Sequence, residues 1–354
     1  MIDWYYKALN KQLHLYLLTI SILFLGQACK QKDTIPNNLY NFPVAYIINT
    51  DNSISVINLK TLQKVDDIWL TSNTQFFAHH IYLSPDNQKL VVATPQYDFS
   101  LGHAGTHTVS STQKGGYYIL DANNGKILSQ VDVPQINHNA VFSPDGKEIW
   151  TAGFSHSGFL YIFDASNGSL KKTLSVGTDP SEVIFSGKNA FMALGEGSQV
   201  AAVDIDKKEI SRLIKVDFFP SNTWSDNDSI VYVANQNMPS INFINSKTLM
   251  AYDAIDLDFK PYQIKFNSKT NELWVCQAGE NLVAIFQKKA IGWTLTKKIK
   301  TGNNAHAISF FDNQSKALVV NLSANTVTIF DTQTKELLKE ITVGLKPNGV
   351  AIRE

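Results

Sequence analysis

An apolar anchor residue recurs along most of this 354-residue chain, and its period limits the possible folds more than any other feature. The anchor stands at Leu83, Phe142, Phe185, Trp224, Phe266, Phe310 and Ile352, at intervals of 59, 43, 39, 42, 44 and 42 residues. A turn follows each of the first six anchors, as in Val141-Phe142-Ser143-Pro144-Asp145-Gly146, then a strand, Glu148-Ile149-Trp150-Thr151-Ala152. A third strand ends in an acidic turn, Tyr161-Ile162-Phe163-Asp164, and a fourth runs from Leu170 to Val176. Alternating apolar residues bounded by Pro, Gly, Asn and Asp mark short antiparallel strands. Four such strands per period of about 40 to 45 residues make a propeller blade.

The ends of the chain complete the count. It finishes on a lone first strand, Asn348 to Ile352, and begins with a second strand at Val44 and a third at Ile54. Pairing the two ends makes a seventh blade and closes the ring, which removes exposed sheet edges. The expected fold is therefore all-β, a seven-bladed β-propeller over residues 43–354. The first interval is longer than the next by 16 residues, which places an insertion at Gln96 to Lys114 in blade one.

Charge and cysteine narrow the function classes. Lys plus Arg and Asp plus Glu balance at 31 each, so there is no basic footprint for nucleic acid. A monomer is expected. Cys276 shares its repeat column with Ala93, Ala152, Ala193, Ala234, Val320 and Ile48, which marks it as a core residue rather than a nucleophile or metal ligand. Asp121, Asp164 and Asp331 open the turns after third strands and read as turn caps rather than calcium ligands.

At the N-terminus, Lys7 and Lys11 precede an apolar run from Leu15 to Leu25, too short to span a bilayer comfortably. The following Leu25-Gly26-Gln27-Ala28-Cys29 resembles a bacterial lipobox, although Gln27 departs from that motif. The resemblance implies a signal peptide at 1–28, a lipid on Cys29 and a polar tether at 29–42. An ordinary signal peptide with a chance cysteine is the alternative. Lys30-Gln31-Lys32-Asp33 resembles a lipoprotein export tag. Together these imply an outer-membrane lipoprotein, periplasmic or surface-exposed, held to the envelope membrane.

Within the repeat, Tyr232-Val233-Ala234-Asn235, Val327-Thr328-Ile329-Phe330-Asp331 and Thr342-Val343-Gly344 with Lys346-Pro347-Asn348-Gly349-Val350 resemble the YVTN-type propeller family. The resemblance covers residues 43–354 and implies the fold. It leaves function open, because similar propellers carry haem d1, copper clusters, lyase activity or lactonase activity. The Cys-x-x-Cys-His haem attachment of cytochrome cd1 is missing from the sequence, and there is no length for an added copper domain.

Seven of the eight histidines fall in loops or strand starts that a propeller gathers on one face, here called the top; His14 lies in the signal segment. Four residues before each anchor stand His79, His138, Ser181, Pro220, Tyr262, His306 and Asn348, at the start of each channel-lining strand. His80 adjoins His79, and strand alternation predicts that only one of the two faces the channel. His156 lies in the loop between second and third strands of blade two, and His103 and His107 lie in the insertion. Imidazoles gathered this way suit copper, zinc or haem, with Tyr262 as a cofactor contact. Glu182 and Glu196, with Glu280, map to the same face as acid–base candidates. Histidine at blade junctions is also a habit of the family and can be structural. The sequence thus reads as a protein that binds a small ligand or a protein partner on its top face through a histidine-rich metal or haem site. A metal-assisted lyase or hydrolase, or a scaffold without catalysis, are the alternatives, and the balance leans away from an enzyme.

Overall fold

Turn-forming residues interrupt every apolar run, so the strands stay short. The computed structural model describes residues 39–101, 112–225, 229–235 and 237–354, and within them the strands form seven antiparallel sheets of four. Blade two shows how the pattern works. Its second strand, Glu148–Gly153, is buried throughout, and its fourth, Leu170–Gly177, is largely exposed. Successive side chains point to opposite faces of a sheet. Trp150, Leu160 and Ile162 therefore pack on Ala190 and Met192 of blade three, while Ile149, Tyr161 and Phe163 pack on Val91 and Tyr117 of blade one. Each blade is thus one half of two cores. Cys276 belongs to such a core, beside Trp274, Val283 and Ile308, and burial pushes its thiol pKa up.

Closure follows the expected route. The last strand, Pro347–Arg353, pairs with the first, Val44–Asn49, whose other edge pairs with Ser53–Asn58. At the bottom of this blade Arg353 Nη1 donates to Ala122 O (3.0 Å) and to Asn123 Oδ1 (2.8 Å), and Nη2 donates to Tyr40 O. The Tyr40 N–H in turn donates to Asn123 O at 2.7 Å. Residues 39–43 are therefore strapped across the bottom. The Asp turns lie on the same face: Asp121, Asp164 and Asp331 each accept a backbone N–H two residues on, at 2.7–2.9 Å.

The inner strands are tied to one another by amide side chains near the top. Asn139 exchanges two hydrogen bonds with the Val183 backbone, both 2.9 Å. Gln263 Oε1 accepts from the Ile308 N–H at 2.6 Å. Asn348 Nδ2 donates to Ala78 O (2.9 Å) and Thr50 Oγ1 (3.0 Å), and its Oδ1 accepts from the His80 N–H (3.2 Å). Inner strands in blades five to seven run for 7 residues, but those of blades two and three shrink to Val141–Phe142 and Ile184–Ser186. His138 and Glu182 consequently sit on irregular backbone just above their strands.

Asn348 joins the closing strand to blade one, so removing its amide strands several buried partners at the seam. Asn348→Ala is expected to cost about 2–4 kcal/mol of unfolding free energy, measured by denaturant titration, while Asn123→Ala at the half-buried bottom turn costs less.

Candidate metal centre

The upper ends of the inner strands converge on a cavity of about 30 Å³, lined by His79, His80, His138, Glu182, Tyr262 and His306. A space of that size holds about two waters, or an ion with a water. Both imidazoles of the adjacent pair reach it, against the expectation that His79 and His80 would point apart. The cause is local. His80 has φ +49°, in the left-handed region, and the ladder to the second strand slips between His79 and Ile81. A bulge of this kind adds one residue and re-aims side chains, so the two rings stand 4.2 Å apart, centroid to centroid. Gly349 leaves room for the bulge: a Cβ there would lie 3.1 Å from His80 Cα and from Ile48 Cγ2.

His79, His80 and His138 each bring a ring nitrogen to within 4.8 Å of the others. His306, expected in the same set, stands farther out. Its ring lies 6.4 Å from both His79 and His80, and it packs edge-on against Tyr262 at 4.5 Å. Burial raises the Tyr262 pKa, so its phenol keeps its proton through the neutral range.

Glu182 is the decisive neighbour. It is fully buried, with Oε1 at 2.5 Å from His80 Nε2 and 3.6 Å from His138 Nδ1. Close as these contacts are, neither carboxylate oxygen receives a well-aimed hydrogen bond. A buried carboxylate costs several kcal/mol unless positive charge faces it. The arrangement calls for a protonated imidazole or a cation at this point.

Phe99 closes one side. It lies on a short 3₁₀ turn, Phe99–Leu101, in the part of the insertion that the structure describes. Its ring meets His79 at 5.2 Å and His138 at 4.7 Å, both edge-on, and packs with Ile136 and Phe154. The flanking Asp98 and Ser100 are gripped by Lys346 Nζ at 3.0 and 3.1 Å. Phe99, Asn222, Trp224 and Gln263 also line the cavity, and sequence reasoning missed all four. One available signal was the column one residue after the inner-strand start, which holds His80, Asn139, Glu182 and Gln263.

The remaining candidates separate from this centre. His156 and Glu196 meet on the rim, where His156 Nδ1 lies 2.8 Å from Glu196 Oε2 and 3.8 Å from Asp179 Oδ2. The bond to Glu196, then the Asp179 charge, raises the His156 pKa. These three residues form a second potential metal-binding group. Glu280 is exposed in its loop. His103, His107, His14 and Cys29 lie outside the described residues.

No family model and no curated protein matches the chain. Solved structures do match, and they show the fold. A candidate 6-phosphogluconolactonase from Bacteroides fragilis is 16% identical, with a TM-score of 0.69 over 89% of this chain and 99% of that one. The periplasmic gluconolactonase of Pseudomonas aeruginosa is 13% identical, with a TM-score of 0.68 over 88% and 99%. A dihydro-haem d1 dehydrogenase is 12% identical, with a TM-score of 0.62 over 90% and 78%. The molecule is a seven-bladed β-propeller that carries potential metal sites built from histidine and carboxylate. The leaning away from catalysis is corrected: imidazoles and a buried carboxylate meet in one cavity, and lactonases stand among the structural neighbours.

The rim ion pair has a pH signature. Because pairing raises the His156 pKa, its stabilisation is complete below about pH 6.5 and is lost as pH rises through the folded value. Histidine proton NMR on metal-free protein is expected to show His156 titrating above the ordinary imidazole range, and Glu196→Gln is expected to bring it down.

Proposed function

We propose that this protein is a metal-assisted hydrolase of small lactones or related cyclic esters, with its site in the upper channel. The observation that carries the reading is the fully buried Glu182 carboxylate, 2.5 Å from His80, with His79 and His138 alongside. Ligands on a tetrahedral ion stand about 3.3 Å apart, so modest imidazole rotations bring three nitrogens onto one divalent ion beside the carboxylate. Zinc or copper suits that donor set. The lactonases among the structural neighbours support the substrate class.

His79, His80 and His138 would hold the ion. When bound, it would supply a polarised carbonyl and an acidified water. The protein's own groups do the rest. Glu182 takes the proton of the attacking water, with His80 against it to share the charge. Tyr262, kept protonated by burial, donates its O–H to the oxyanion that forms as water adds to the ester carbon. The ring C–O bond then breaks, and the leaving oxygen takes the proton back from the His80–Glu182 pair. The cavity admits water but no lactone, so Phe99 must swing aside for substrate. It is carried on the insertion rather than on a blade strand, and its movement requires release of the Lys346 contacts to Asp98 and Ser100.

The protein is also proposed to work outside the cytoplasm, tethered through lipid on Cys29. The apolar run before that cysteine supports this, as does the periplasmic lactonase among the neighbours.

Protein purified without a histidine tag is expected to retain a divalent metal and to hydrolyse unphosphorylated aldonolactones in a pH-indicator assay, with activity lost to a chelator and restored by zinc. Glu182→Gln and His80→Ala are expected to lower kcat/KM by about 10²-fold or more. Absence of bound metal, or hydrolysis indifferent to both variants, overturns the reading. Phe99→Ala is expected to speed metal loss to the chelator, followed by metal analysis against time.

A further inference from the structure

We infer that His156, Asp179 and Glu196 form a second divalent-metal site on the rim between blades two and three, independent of the channel group. Three separate loops supply the donors. His156 comes from the loop between second and third strands of blade two, Asp179 from the junction leading into blade three, and Glu196 from the next loop of blade three. The backbone of Asp179 fastens them together. Its N–H donates to Ser155 O at 2.8 Å, and its carbonyl accepts from the Gly195 N–H at 3.1 Å. The Asp179 junction is thus hydrogen-bonded to both of the other donor loops. Holding ligands in place before the ion arrives is what a metal site requires of its surroundings.

Spacing and charge favour an ion over a simple ion pair. The two imidazole–carboxylate separations, 2.8 and 3.8 Å, bracket the spacing of about 3.3 Å between ligands on a tetrahedral ion. Two carboxylates and one imidazole carry a net charge of −1 even when His156 is protonated. With a neutral imidazole and a divalent cation the same trio sums to zero. The Asp179 side chain is only 7% exposed, so that imbalance is poorly screened there.

The donor set also selects the ion. One imidazole nitrogen with two carboxylates suits zinc, manganese, iron(II) or cobalt, and not calcium, which takes oxygen ligands. His156 is exposed, so the remaining coordination positions open to water, and the bound ion is exchangeable. Metal and proton compete for the same Nδ1, so zinc affinity falls as pH drops through the His156 titration.

The test is zinc equilibrium dialysis of the whole protein, with His156→Ala, Asp179→Asn and Glu196→Gln compared against wild type and His80→Ala. Each rim variant is expected to lose one zinc equivalent or bind it about tenfold or more weakly, whereas His80→Ala keeps that equivalent. In wild type, zinc is expected to shift and broaden the His156 ring-proton resonance, a readout that needs no substitution. Unchanged zinc binding in all three rim variants, or a His156 resonance indifferent to zinc, overturns the inference and leaves an ion pair alone.

Discussion

Everything above the inner strands depends on the ring being closed by one seam. The strand Val44–Asn49 is held on both edges, by residues 53–58 and by the closing strand Pro347–Arg353. Closure forces seven inner strands around a common axis, and their upper ends have nowhere to go but toward each other. Polar side chains at those ends must then satisfy one another. Asn348, Asn139 and Gln263 do so by bonding a neighbouring blade's backbone. The histidines and Glu182 meet across the axis instead. Consecutive blades one to three supply the three clustered imidazoles and Glu182, and closure brings Tyr262 and His306 of blades five and six to the same cavity.

Regularity is given up where the chemistry lies. The inner strands of blades two and three are cut short; those of blades one and four to seven share a register shift near the top, and among the described residues only blade one places a left-handed residue, His80, in it. Local rule-breaking that the surrounding fold holds in place is common at functional sites. Here it has one visible effect. It puts two adjacent imidazoles on the same side of a strand and lets a carboxylate from blade three reach them.

The fold was legible because a period of about 43 residues and two unmatched chain ends admit few alternatives. The placement of His79, His138, His156 and His306 toward one face followed from that period. What the alternation rule could not show was His80 turning inward, because the rule assumes an unbroken ladder and a bulge depends on Gly349 of another blade making space. Phe99 was hidden for a different reason: it lies in an insertion without periodicity, and only folding brings it over His138. Asp179 escaped notice because an Asp before Pro180 reads as a turn residue, and the nearness of His156 and Glu196 is a contact between blades rather than a spacing along the chain. A carboxylate such as Glu182 could be placed on the correct face, but nothing in its neighbours along the chain marks it as fully buried.

The strap formed by Tyr40, Arg353 and Asn123 has a mechanical consequence. It fixes Leu39, the first described residue of the propeller, on the bottom face, opposite the cavity. A pull on that end runs along the axis of Val44–Asn49, at right angles to its ladder hydrogen bonds. Such a load is shared by both flanking ladders at once instead of parting them bond by bond. The strand that closes the ring is thus also the one placed to bear tension.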